Sequence, residues 1–148
     1  MPRFAAGVKT GAGSTILPMM TLWSSVNAQP NIREIGLFNT TTTAVDVKLS
    51  RLSSGPGTVG AGLSETPIDN PLAVAGSMAF TTHTAGTITQ VDAGYRASIG
   101  AAVGAGIIWT FGAEGFEIIP AAGTVNGIGI VVENGTGQAL QAYIVWDE

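Results

Sequence analysis

The chain has 148 residues, 45% of them hydrophobic, which is enough to close the single core of one domain, 1–148. Charged residues make up only 11%, against about 25% in an ordinary soluble domain, and the basic residues Arg3, Lys9, Arg33, Lys48, Arg51 and Arg96 are too scattered to track a phosphate backbone, which argues against direct nucleic-acid binding. Cysteine is absent, so disulfides and thiolate metal sites are excluded, and a neutral surface of glycine, alanine and threonine points to a neighbour protein, because charge depletion marks interface cores.

No stretch of 11 or more residues keeps a helical period, whereas short alternating or β-branched runs punctuated by Gly, Asn and Pro recur, so the expected fold is all-β. Residues 1–15 carry Gly7, Gly11 and Gly13 around isolated Phe4 and Val8 and read as an extended arm, with a disordered tail as the rival reading. They lack the apolar run of about 7 to 15 residues that a signal peptide needs, so export by that route is not expected. A strand is expected around Leu22–Asn27, its start placed at an edge by Pro18. Ile32–Asn39 and Val45–Leu52 are expected to pair as a hairpin with Leu37 opposite Val45, Ile35 opposite Val47, and Glu34 opposite Lys48.

Residues 53–73 hold three prolines and four glycines and read as a long irregular loop of the kind that carries contacts. Gly55-Pro56-Gly57-Thr58-Val59-Gly60 matches G-x-G-x-x-G to the letter, but no helix signal follows it, and the match reads as chance. Further strands are expected around Val74–His83 and Thr87–Val91. The uncharged run Ala97–Ala113 carries Gly100, Gly104, Gly106 and Gly112, each unfavourable in a helix by about 1 kcal/mol, and reads as a glycine-rich loop feeding a buried strand rather than a membrane span. Two more hairpins are expected: one with Phe111 opposite Phe116 and Trp109 opposite Ile118, and one with Val132 opposite Leu140, Ile130 opposite Ala142 and Ile128 opposite Ile144.

Signs of chemistry are sparse. His83 is the single histidine, and no G-x-S-x-G elbow accompanies it, so no catalytic set is expected. The carboxylate pairs Glu65/Asp69, Glu114/Glu117 and Asp147/Glu148 read as solvated positions, and neither an EF-hand loop nor H-E-x-x-H occurs, so no metal or cofactor is expected. Asn39-Thr40-Thr41 and Asn134-Gly135-Thr136 fit the glycosylation sequon by chance in a threonine-rich chain. With Trp109 and Trp146 on expected core faces, Trp23 and Tyr143 are the candidates for a sugar-binding platform.

The segments Asn31–Thr41, Ile107–Gly112 and Gln141–Glu148, with the charge-poor texture around them, resemble small structural proteins of tailed bacteriophages, in particular capsid decoration or cement proteins. The resemblance implies a β-sandwich or jelly-roll-like barrel on the capsid surface of a virion. It further implies a homo-oligomer, a trimer foremost, whose arm clamps the major capsid protein or another virion protein, with no membrane or nucleic acid involved. Phe4, Val8, Ile16, Leu17, Leu63, Ile68 and Leu72, in residues 1–20 and 53–73, are the expected assembly contacts. Deleting residues 1–15 is then expected to leave the core folded and abolish binding. A tail, baseplate or receptor-binding component of a phage is the alternative, and a carbohydrate-binding sandwich module a further one.

Overall fold

The structure is a computed structural model that describes residues 1–53, 55–56, 60–120 and 125–148. The described residues form eleven strands and no helix: β1 (Arg3–Lys9), β2 (Met20–Trp23), β3 (Asn31–Asn39), β4 (Val45–Ser53), β5 (Thr66–Pro67), β6 (Met78–Phe80), β7 (Thr89–Ile99), β8 (Gly106–Thr110), β9 (Phe116–Glu117), β10 (Gly127–Asn134) and β11 (Leu140–Asp147). They make an all-β sandwich of two antiparallel sheets. The first has the order β5-β1-β11-β3-β8, with β9 also paired to β3, and the second β6-β2-β10-β4-β7.

The long strands pair first with last and inward from there: β1 with β11, β2 with β10, β3 with β8 and β4 with β7. Rolling that ribbon brings β11 beside β3 and β10 beside β4. Almost every connection therefore crosses from one sheet to the other. Of the expected hairpins, β3–β4 and β10–β11 are arches whose strands face each other across the core. Alternation cannot tell these cases apart, since a hairpin and an arch both require the apolar sides of successive strands to meet.

The pairings expected for those hairpins are replaced accordingly. Leu37 stands beside Ala142 and Ile107, and Val47 beside Val132 and Ala97. Glu34 accepts the Tyr143 hydroxyl hydrogen, while the Lys48 ammonium lies 3.7 Å from Glu133. The third expected hairpin is replaced by two collinear segments, β8 and β9, which run along the same edge of β3 with Trp109 beside Ile35 and Phe116 beside Ile32. Between them the chain makes an excursion through Gly112 and Gly115, both at positive φ, and Arg33 and Asn31 of β3 donate to its carbonyls at Gly112 and Glu114. The Phe111 and Phe116 rings still meet edge to face at 5.5 Å.

The N-terminal segment is part of this core rather than an arm. β1 runs between β5 and β11, with Phe4 fully buried and its ring stacked 5.9 Å from that of Trp146. Nor does β2 lie at an edge, since β6 and β10 flank it. Within the expected irregular loop, Thr66 and Pro67 form β5 against Ala5 and Phe4, and Gly62 bridges Phe80. The middle of the G-x-G-x-x-G match, Gly57 to Val59, lies outside the described residues. Part of the expected glycine-rich loop is strand as well: β7 continues to Ile99, and β8 is a half-exposed edge strand rather than a buried one.

Candidate interaction surfaces

β5 and β6 arise from one excursion between β4 and β7 that adds a short strand to the same flank of each sheet. The excursion is pinned at its turns. The Ile68 amide donates to the Arg3 carbonyl at 2.7 Å, the Asn70 carbonyl closes a turn on the Ala73 amide, and the Glu148 carboxylate accepts from the amides of Gly76 and Ser77 and from the Ser77 hydroxyl. Between these pins the apolar side chains project outward, with Ile68 53%, Leu72 88% and Val74 90% exposed. Val74 shares a cleft of about 720 Å³ with Met1, Val26 and Glu148, so exposed apolar groups from three parts of the chain meet at one corner.

The seven expected contact residues divide in the structure. Ile68 and Leu72 are exposed on the pinned excursion that leads to Val74, outside the lining of the cleft itself. Phe4 has no accessible surface, and Val8 and Leu63 are half-buried against the core. Ile16 is exposed and Leu17 half-buried in a separate place beside the start of β7, where the Gln90 amide donates to the Ile16 carbonyl at 2.7 Å. Val26 and Val74 escaped the sequence reading because both fall in runs that read as strands, Leu22–Asn27 and Val74–His83.

A second cleft, of about 540 Å³, opens between the sheets beside Arg51, Phe116, Ile119 and Asn126, and Arg51 lies over the Phe116 ring at 4.1 Å. Glu117 lines both clefts.

The carboxylates at the C-terminus are not simply solvated. Asp147 is buried and bridges Arg3 Nε at 2.7 Å and Arg33 Nε at 2.6 Å, which holds its carboxyl below the usual carboxylate range, chiefly through the Arg3 hydrogen bond. Asn39 is buried as well, and its amide donates to the Thr43 and Gly100 carbonyls, so the first sequon serves as a clamp between two loops.

Trp23 cannot serve as a sugar platform, because it is fully buried with Leu52 and Ile88 in a small cluster of its own. Its indole N–H donates to Thr21 Oγ1 at 2.9 Å, and the same oxygen lies 3.0 Å from His83 Nε2. Trp109 is half-buried rather than a full core residue. Tyr143 remains at the surface of the first sheet, where the hydrogen bond to Glu34 pushes its phenol up to about 12.

His83 is buried, its Nδ1 lacks a hydrogen-bond partner, and burial lowers its pKa. Its polar neighbour is a threonine, and among the described residues neither a serine nor a carboxylate hydrogen-bonds it. The sign of its effect on stability follows from linkage. The folded state resists the proton that the unfolded chain accepts below about 6.5, so stability falls as pH drops through that value, by about 1.4 kcal/mol per pH unit until the folded-state pKa is reached. Urea midpoints measured between pH 7.5 and 5 should decline accordingly, and His83→Gln should flatten the decline; an equal slope in the variant assigns the decline to other groups.

Among the described residues no group of three or more His, Asp or Glu side chains is arranged to hold a metal ion, and no helix is long and apolar enough to cross a membrane. No family model matches the chain, and neither a curated protein nor a solved structure matches it.

Proposed function

We propose that this chain is a structural subunit of a virus particle, acting as a capsid decoration protein that binds across neighbouring shell subunits. The observation that carries the reading is the apolar corner at Ile68, Leu72 and Val74. It is built by an excursion that the two sheets do not need for closure, and it displays in water the side chains that a monomer ordinarily hides. The strand order supports the reading: pairing first with last along a rolled ribbon follows the jelly roll, an architecture of viral capsid and lectin domains. Fold alone does not assign function, so the corner bears the weight. A protein that binds the assembled shell and not its free subunits stabilises the assembled state by mass action.

The test is co-sedimentation of the purified protein with assembled shells of the virus that encodes it, for the native chain and for Leu72→Asp/Val74→Asp. Both positions are exposed, so the double variant should keep its melting temperature while losing at least tenfold in shell affinity, about 1.4 kcal/mol or more. A native protein that stays in the supernatant, or a variant that binds as well as the native chain, would overturn the reading. Antibody label on tails and not on heads would replace decoration by a tail role.

A further inference from the structure

The outer face of the first sheet, on the side away from the core, sets glycines beside aromatic rings. The registers align Gly7, Tyr143, Gly36 and Ile108 in one row across β1, β11, β3 and β8, and in the next row Phe38 stands beside Gly106. Alternation points these residues outward. A Cβ on Gly36 would lie 2.1 Å from Tyr143 Cε1, and one on Gly106 would lie 2.3 Å from Phe38 Cδ1. Each ring can therefore lie down over glycine backbone instead of standing up as a ridge. Tyr143 is held there by its hydroxyl, which donates to Glu34.

The chemistry of this face restricts what it can take. Among the described residues its rows around the two rings carry a single basic side chain, Lys9 beside Gln141, and no cluster for a phosphate. It offers two aromatic rings in successive rows, about 7 Å apart along the strands, with a carboxylate, an amide and a hydroxyl at Glu34, Gln141 and Thr110 in the same and adjacent rows. A pyranose ring has the matching character: a C–H face that packs on an aromatic ring and an edge of hydroxyls that pair with a few placed polar groups.

We propose that the outer face of this sheet is a saccharide-binding platform on which Tyr143 and Phe38 stack successive sugar units while Glu34 and Gln141 hydrogen-bond their hydroxyls. The inference does not rest on shell binding, since the platform and the apolar corner share no residue.

The test is affinity electrophoresis of the full chain through gels carrying soluble polysaccharides, including bacterial surface polysaccharides, glucans and mannans, with a glycan array in parallel. At least one polysaccharide should retard the native protein. Ile108→Arg introduces a charge beside both rings at a residue already 52% exposed, so it should melt as the native chain does and lose at least tenfold in retardation. Absence of retardation by every polysaccharide and array glycan would overturn the proposal, as would equal retardation of Ile108→Arg. So would light scattering that finds this face occupied by a second copy, as a dimer that Ile108→Arg dissolves.

Discussion

Deletion of residues 1–9 is expected to abolish cooperative unfolding, leaving a chain that is largely insoluble or shows neither near-UV circular dichroism nor dispersed amide resonances. β1 pairs along its full length with β11 and carries β5 on its other side, so its removal exposes the edge of β11 and detaches the pinned excursion. It also uncovers the Trp146 indole on which Phe4 stacks. Truncating a buried phenylalanine alone costs about 3–5 kcal/mol, and a domain of this size has about 5–15 kcal/mol in all, so losing the ring and the ladder together exceeds what the fold can absorb. Phe4→Ala is the graded version and should lower the urea midpoint by an amount in that single-residue range. A truncated chain with a native-like cooperative melt would restore the view of this segment as a detachable arm.

That view arose from how the segment is built. Residues 1–15 read as an arm because Gly7, Gly11 and Gly13 surround isolated Phe4 and Val8, and glycine in a short run suggests flexibility. In the sheet Gly7 lies beside Tyr143, whose ring lies over Gly36 on its other side, and a Cβ on Gly7 would come nearest the Tyr143 Cβ, at 3.3 Å. The segment that looked free is held by a strand more than 130 residues away, and no local pattern reports that pairing.

The strand faces were legible elsewhere, and the partners were not. Ile128, Ile130 and Val132 point into the core as their spacing demands, and so do Leu140, Ala142 and Ile144. They meet across the sandwich instead of side by side, because both edges of β11 are taken by β1 and β3 and both edges of β10 by β2 and β4, all early in the chain. The candidate corner was half legible. The proline-rich segment 53–73 announced a contact-making excursion and yielded Ile68 and Leu72, while Val26 and Met1 reach the same corner only through the fold.

The second large effect is expected from Asp147→Asn, which should cost about 2–4 kcal/mol at pH 7. Asp147 receives Arg3 through Nε and a second nitrogen, at 2.7 and 3.2 Å, and Arg33 through Nε at 2.6 Å. Removing one partner of a buried ion pair costs about 3–5 kcal/mol, and the half-exposed Arg3 places the expectation toward the lower end. The pH dependence is opposite in cause to that of His83 and occupies a different window. A carboxyl whose folded pKa is depressed contributes its full stability above the unfolded value of about 3.9 and loses it as pH falls through the folded pKa. The gap in urea midpoint between native and Asp147→Asn should therefore be constant from pH 7 to 5 and close below pH 4. A gap that persists unchanged at pH 3 would assign the loss to packing and not to the charge. The consequence reaches beyond the termini, because Arg33 also holds the Gly112 carbonyl of the excursion between β8 and β9. Freed from its carboxylate, that guanidinium no longer fixes the turn that sets Phe111 against Phe116 and Tyr95, so near-UV signals of the aromatic cluster should weaken in the variant before global unfolding begins.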